Sequence, residues 1–242
     1  ECKTRGKVKN SNQNMYVGDI AEFSYTDEDK GIIEEIISRK TYIDRPKIAN
    51  TNQMFIVMSL SYPKLDYNVL DRLLIMCLKQ KIKPILLFNK YDQRKDEDIE
   101  YVSKAYKSYD LIYTSTKTMT GIDKVKDLIK NKLSVLAGPS GVGKSSLLNL
   151  LGGKLINPTG SLGMKLKRGK HTTRASRIYA INNGLIADTP GFSRVDFSKA
   201  MEARELLDLY LEYKELSRSC KFVGCLHYME TDCEVKRALE VG

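Results

Sequence analysis

The pattern of apolar and polar positions changes character near residue 50 and again near residue 195. Up to about residue 48 it predicts short strands with turns: CKTRGKVK, then VGDIAEFSY opening at a Gly-Asp turn, then an imperfect strand over 31–37 that ends before Arg45-Pro46. Short strands at this spacing suggest a small β-barrel or sandwich. From residue 50 the apolar runs become continuous, as in parallel strands buried on both faces. Such runs are MFIVMSL at 54–60, PILLF at 84–88, the Asp110–Tyr113 segment and LSVLA at 133–137. Between them, Val69, Leu70, Leu73, Leu74, Cys77 and Leu78 fall at helical spacing, and so do Ile122, Val125, Leu128 and Ile129. A polar helix is expected over 96–108, its first turn acidic as suits the positive end of the helix dipole. Strands alternating with helices predict an α/β domain with a mainly parallel sheet. Further on, Arg177–Ile181 and Leu185–Ala187 read as a hairpin ending at DTPGF. A charged amphipathic helix follows over 198–218, with Leu206, Leu209, Tyr210 and Tyr213 on one face, and a last helix lies near 232–240.

Charge sharpens this division. The 242 residues carry a formal +10. By count, residues 1–49 are neutral (9 basic, 9 acidic), 50–195 carry +13 (24 against 11) and 196–242 carry −3 (7 against 10). A basic field of this size favours polyanionic partners, nucleic acid first; a lysine-rich solvated surface is the plainer explanation. No apolar run reaches the ~20 residues of a membrane span, and no signal peptide is seen. Five cysteines, an odd number with three inside 14 residues, argue against a disulfide framework and towards a reducing cytosol with a metal site.

The chemistry lies in six short segments. Gly138-Pro139-Ser140-Gly141-Val142-Gly143-Lys144-Ser145, with Ser146 after it, fits the phosphate-loop pattern G-x4-G-K-[ST] between an apolar strand and a helix. Its glycines let backbone N–H groups face the phosphates, and the helix adds its positive end. Lys144 is expected at the β- and γ-phosphates and Ser145 on Mg²⁺. Asn89-Lys90-Tyr91-Asp92 follows PILLF. The Asp92 carboxylate can accept from guanine N1–H and N2–H₂, a pair that adenine lacks, and so would select GTP over ATP. Asn89 would brace neighbouring loops and Lys90 would lie over the base. Ser115-Thr116-Lys117, after the next strand, reads as a base-contacting loop or as a plain strand-end loop.

Asp188-Thr189-Pro190-Gly191 places an acid for Mg²⁺ and a backbone N–H for the γ-phosphate. Thr173 is preferred over Thr172 as the hydroxyl that completes the Mg²⁺ shell. Phe192 stands where Ras-like enzymes carry a water-orienting Gln, which leaves His171 as one candidate for that task, or a merely exposed histidine. Cys220, Cys225, His227 and Cys233 supply three sulfurs and an imidazole, a set suited to closed, structural Zn²⁺ and preferred over free thiols.

VGDIAEF, NKYD, GPSGVGKSS, HTTR, DTPGF and the cysteine cluster, in this order, resemble the circularly permuted, small-ribosomal-subunit-dependent GTPases of bacteria, over essentially the whole chain. The base-reading segments precede the phosphate loop, the reverse of the usual order. The resemblance implies an OB-like β domain at 1–48, a permuted α/β P-loop GTPase domain at 49–195 and a helical zinc-binding domain at 196–242. The first of these is too short for a complete five-stranded barrel, as if its first strand were absent. It further implies a cytoplasmic monomer that binds GTP and GDP with Mg²⁺, holds one structural zinc, and acts on the 30S subunit and its 16S rRNA in late maturation, with hydrolysis stimulated by the subunit. A hydrophobic residue in place of the Gln is also typical of that family. Two other classes fit part of the pattern: a regulatory GTP-binding module with a protein effector, and a zinc-stabilised RNA-binding protein.

Overall fold

The computed structural model describes residues 2–5, 14–27, 30–44, 46–153, 177–188 and 201–241. The chain divides into two compact units, Glu1–Arg194 and Val195–Gly242.

The first unit is organised by a six-stranded sheet. Its strands are β6 (Gln53–Ser59), β7 (Lys83–Asn89), β8 (Asp110–Tyr113), β9 (Leu133–Ala137), β10 (Arg177–Ile181) and β11 (Gly184–Asp188), in the order β10-β11-β9-β6-β7-β8. Every neighbouring pair is parallel except β10 and β11, which form a hairpin. Asn182 and Asn183 both take positive φ in that hairpin's turn (50° and 59°), the conformation that suits a two-residue loop. Numbering the strands cyclically from β9 turns the order into 2-3-1-4-5-6, with the phosphate loop after the first strand. The sheet therefore keeps the usual arrangement of a phosphate-loop domain while the chain enters it at the fourth strand.

Both sheet faces are covered, which is why its central strands lack apolar–polar alternation. Helix α1 (Tyr67–Lys79) buries Leu70, Leu73, Leu74 and Cys77, and the Cys77 sulfur lies 3.4 Å from that of Met54. Its N-terminus is capped by Asp66, whose side chain accepts the Val69 N–H at 3.1 Å. Helix α2 (Asp96–Ala105) packs beside α1 through Tyr106 and Asp71. On the other face, α3 (Ile122–Ile129) and α4 (Lys144–Gly152) pack Ile122, Val125, Ile129, Leu147, Leu148 and Leu151 against Phe55, Val57, Ile85, Leu87, Leu136 and Ile186. The entry strand is tied in at its start. Asn52 exchanges backbone and side-chain bonds with Leu133 (2.9 and 2.7 Å), and the Gln53 amide donates to Ser134 Oγ at 2.9 Å.

Ahead of this sheet, β1 (Cys2–Thr4), β2 (Ala21–Asp27) and β3 (Lys30–Ile36) form an open three-stranded sheet in the order β1-β3-β2, and β4 (Tyr42–Ile43) pairs with β5 (Ile48–Ala49). The described strands make two small sheets rather than a closed barrel. The Val17-Gly18-Asp19 turn fastens this part to the larger sheet. Gly18 has φ +91°, and a Cβ there would lie 2.4 Å from the Ala49 carbonyl and 2.9 Å from the Leu133 side chain. Asp19 holds Arg39 in a two-oxygen pair at 2.7 and 2.9 Å, and the Arg39 guanidinium lies over the Tyr16 ring.

The second unit contains α5 (Ala203–Leu209), α6 (Leu211–Ser217) and α7 (Glu234–Val241). The single helix expected over 198–218 is thus two, broken at Tyr210, whose backbone is extended. The break redirects the chain before Tyr213 and Leu216, which pack against Cys225, Cys233 and Val235. Cluster packing, invisible to helical spacing, outweighs helix continuity here. No helix among the described residues is long and apolar enough to cross a membrane.

Candidate functional site

In a parallel sheet, ligands are held by the loops beyond the carboxyl ends of the strands. Four such loops converge here, after β6, β7, β8 and β9, and the last residue of β11, Asp188, lies beside them in register with Leu136.

The loop after β9 is shaped by three glycines with positive φ: Gly138 at 137°, Gly141 at 82° and Gly143 at 100°. A Cβ on Gly138 would sit 2.1 Å from the Val57 carbonyl oxygen, and one on Gly143 would sit 2.3 Å from Asn89 Nδ2. Both are excluded by φ and by contact. Helix α4 starts directly behind Gly143 with no side-chain cap, so its first N–H groups point into the loop, as anion binding requires. The Lys144 ammonium bends back over the loop and donates to the carbonyls of Gly138 (2.8 Å) and Pro139 (2.6 Å). Burial lowers its pKa, and the nearby Asp188 carboxylate opposes that effect. Phosphate oxygens would supply the negative charge that this half-buried ammonium lacks.

The loop after β7 is joined to the phosphate loop by a buried bond. Asn89, 1% exposed, donates Nδ2–H to the Val142 carbonyl at 2.8 Å and accepts at Oδ1 from Thr114 Oγ1 at 3.2 Å. The next residue, Lys90, has φ +62° and donates from Nζ to the Gly141 carbonyl at 2.9 Å and to the Tyr62 carbonyl. Its aliphatic stem thereby spans the gap between the two loops. Asp92 accepts from Ser115 Oγ at 2.6 Å, a bond that holds its carboxyl below the ordinary range and therefore ionised. Ser115 Oγ in turn accepts the N–H groups of Lys117 (3.2 Å) and Thr118 (3.1 Å), which orders the loop after β8. The result is an oriented, ionised carboxylate able to accept two donors from one edge of a base, in a loop that Asn89 ties to the glycine loop after β9.

Two contributors escaped sequence reasoning. Thr114, fully buried, holds the Asn89 carboxamide in register. The Ser61–Pro63 loop after β6 gives Lys90 a second anchor and lies against Gly141, Pro63 Cδ being 3.5 Å from that glycine's Cβ position. No motif marks the latter; the rule that parallel strands present ligands at their carboxyl ends would have found it. For divalent metal, Ser145 is exposed at the start of α4, and Asp188 ends β11 in register with Leu136 of β9. Both are hard oxygen donors of the kind Mg²⁺ takes. His171, Thr172, Thr173, Thr189, Pro190, Gly191 and Phe192 lie outside the described residues.

In the second unit, Cys220, Cys225, His227 and Cys233 present one ligand atom each, all within 4.8 Å of one another. Cys220 and Cys233 sulfurs are 3.9 Å apart, and His227 Nδ1 lies 3.7 and 3.3 Å from them. A tetrahedral zinc with ordinary bond lengths would give edges of about 3.8 Å between sulfurs and about 3.6 Å between sulfur and nitrogen. The Cys220, His227 and Cys233 spacings are close to those edges, and Cys225 lies within 4.8 Å of all three, so the set suits such an ion. Burial raises the Cys220 thiol, but the backbone N–H groups of Glu234 and Val235 at the start of α7, together with contacts from Cys233 and Cys225, bring the net shift down towards thiolate. The loop that carries His227 at φ +60° is ordered by Glu230. That carboxylate accepts the N–H groups of Leu226 (2.8 Å), Tyr228 (3.0 Å) and Met229 (3.1 Å), contacts led by Leu226 that bring its pKa down to about 2.

Residues 36–198 match the family model described as RsgA GTPase. Similar relatives include the small ribosomal subunit biogenesis GTPase RsgA of Clostridium novyi, 44% identical over 99% of this chain and 83% of that protein. The protein of the same name from Clostridium botulinum is 40% identical over 100% of this chain and 83% of its own length. Among solved structures, YjeQ from Thermotoga maritima superposes with a TM-score of 0.79 at 32% identity, covering 100% of this chain and 83% of that one. YloQ, described as a circularly permuted GTPase, gives 0.79 and 32%, covering 100% and 79%.

Proposed function

Because this chain belongs to the RsgA GTPase family, we propose that it is a GTP hydrolase that binds the small ribosomal subunit in the cytoplasm and assists its late maturation, with hydrolysis stimulated by the subunit. The observation that carries this reading is the buried Asn89–Val142 bond. It ties an ionised base-reading carboxylate to a phosphate loop, the two halves of a guanine-nucleotide site.

In this reading Asp92 pairs with guanine N1–H and N2–H₂, with Ser115, Thr116 and Lys117 bordering the base and Lys90 lying over it. The backbone of Gly138 to Gly143 and the Ser145–Ser146 N–H groups hold the phosphates. Lys144 exchanges its loop carbonyls for β- and γ-phosphate oxygens and so neutralises charge that grows in the transition state. Ser145, Asp188 and Thr173 would hold Mg²⁺, which supplies further neutralisation of the phosphate oxygens when bound. Gly191 reads the γ-phosphate through its N–H. Phe192 cannot orient water, so slow intrinsic turnover is expected, with His171 as the candidate within the chain for that task.

The remaining assignments belong to the same proposal. Residues 1–48 form an OB-like β domain, 49–195 the permuted GTPase domain and 196–242 a helical domain held by one structural zinc on Cys220, Cys225, His227 and Cys233. The chain acts as a monomer. The basic residues Lys165, Lys167, Arg168, Lys170, Arg174 and Arg177 favour contact with 16S rRNA phosphates, which would couple RNA binding to nucleotide state. GTP turnover measured with purified 30S, 50S, naked rRNA and no addition tests the function. Stimulation by 30S alone is expected. Equal stimulation by all three, or by none, would overturn the assignment of the small subunit as partner.

A further inference from the structure

The Lys90 ammonium ends on a turn to which none of the proposed roles is assigned. Strand β6 closes at Ser59, in register with Asn89 of β7, and the Leu60 N–H donates to the Asn89 carbonyl at 3.0 Å. The chain therefore leaves β6 beside the base-reading loop and must turn there towards α1. Ser59 is 1% exposed, and its hydroxyl closes the turn from inside. Its Oγ accepts the Ser61 N–H at 3.2 Å and donates to the Tyr62 carbonyl at 3.2 Å, the local side-chain-to-backbone bonding that serine favours in turns. The Tyr62 carbonyl also accepts from Lys90 Nζ, so both of its lone pairs are in use.

The turn is fastened on its other sides as well. Ser61 Oγ donates at 3.0 Å to Oε1 of Gln93, the residue after Asp92. Pro63 Cδ and Cγ lie 3.5 and 3.9 Å from the Cβ position of Gly141. The Gly141 carbonyl is the other acceptor of the Lys90 ammonium, at 2.9 Å. Two carbonyls thus hold the ammonium: one belongs to the phosphate loop, and the direction of the other is set by Ser59. A lysine side chain is rich in rotamers, and immobilising it costs entropy. Where folding has already immobilised it, a ligand that packs on its stem does not incur that cost and binds more tightly.

We propose that Ser59 is a positioning residue of the nucleotide site, acting through the Tyr62 carbonyl to hold the Lys90 stem in place over the base before nucleotide arrives. The proposal rests on the guanine-nucleotide reading above and adds to it a buried residue that itself touches no nucleotide.

The test measures the affinity of the full chain for fluorescent GTP and GDP analogues. Ser59→Ala is expected to weaken both about fivefold, the worth of one neutral hydrogen bond, because Lys90 serves the base that the two share. Lys90→Met keeps an apolar stem without the ammonium and is expected to weaken both at least as much. In the Lys90→Met background, Ser59→Ala should add less than about twofold, since the two residues act in series. Pro63→Ala loosens the same turn from a partly exposed position. It should show the same pattern, and it covers the case in which Ser59→Ala fails to fold. Ser24→Ala, which removes a hydroxyl bond to Glu34 in the N-terminal sheet, is expected to stay within about twofold of the parent. A parent that binds both analogues while the two turn variants bind them equally well would overturn this proposal alone. A loss undiminished in the Lys90→Met background would make the turn merely structural, and a loss confined to the GTP analogue would place its effect at the γ-phosphate; either result overturns the proposal. A parent that binds neither analogue would overturn the guanine-nucleotide reading, and this proposal with it.

Discussion

Replacing Asn89 with Ala tests the link between the two halves of the site directly. The substitution removes a donor 2.8 Å from the Val142 carbonyl and an acceptor 3.2 Å from Thr114 Oγ1, at a position 1% exposed and between residues that are themselves buried. Water does not replace these bonds without opening the loops. The stranded Val142 carbonyl costs about 1–3 kcal/mol, and the longer threonine bond about 0.5–1 kcal/mol. The expected loss of stability for the nucleotide-free protein is therefore about 1.5–4 kcal/mol, read as a lower urea midpoint at unchanged slope. Gly143, whose N–H would face the phosphates in the proposed site, is attached to Val142, so loosening the loop is also expected to weaken a fluorescent GTP analogue about tenfold, equivalent to about 1.4 kcal/mol. Thr114→Val removes only the weaker bond. It is expected to cost about 1 kcal/mol and to leave nucleotide affinity within about twofold. If Asn89→Ala stays within about 0.5 kcal/mol of the parent and binds the analogue equally well, the bond does not couple the halves and the reasoning fails.

Asp92→Asn exchanges an acceptor of two N–H donors for a side chain with one donor and one acceptor. GTP affinity should fall by about a hundredfold or more, and a competition assay with xanthosine triphosphate, whose base offers an oxygen in place of N2–H₂, should show a gain. Ser115→Ala removes the bond that most depresses the Asp92 pKa, and a carboxyl titration followed by NMR should show Asp92 returning towards about 3.9. A depressed carboxylate stabilises fully above its unfolded value and loses that contribution as pH falls through the lower folded one; the variant, with its folded value returned towards the unfolded one, should lack most of that contribution and show a shallower acid loss of stability than the parent. For the cysteine cluster, atomic absorption should find one zinc per chain. Cys233→Ser is expected to abolish it and unfold the second unit, since Cys233 is 3% exposed within that unit's small core, while GTP-analogue binding persists.

The motifs were legible in the sequence because each depends on local backbone chemistry. Glycines at 138, 141 and 143 are needed where φ is positive, whatever surrounds them. Asn89, Asp92 and the four metal-ligand candidates are residue types whose polar atoms have few other uses at such spacing. The strands of the parallel sheet were equally plain, since burial on both faces removes polar positions from them. The same local signals could not report contacts between segments distant in the chain. The resemblance implied an OB-like domain at the N-terminus lacking its first strand, and the strands described there pair as two small open sheets whose partners could not be read from the sequence. Helical spacing predicted one helix over 198–218, whereas packing of Tyr213 and Leu216 on the cysteine cluster accompanies a break at Tyr210.

The amino-acid sequence by itself thus determined which chemical groups are present and in what order the chain meets them. Only the tertiary structure decided that Asn89 and Val142, 53 residues apart, share a hydrogen bond, that Ser115 orients Asp92, and that the sheet order is unaffected by where the chain enters it. The physical reason is that strand pairing and buried hydrogen bonds are satisfied by position in space, and a rearranged chain order leaves those positions unchanged.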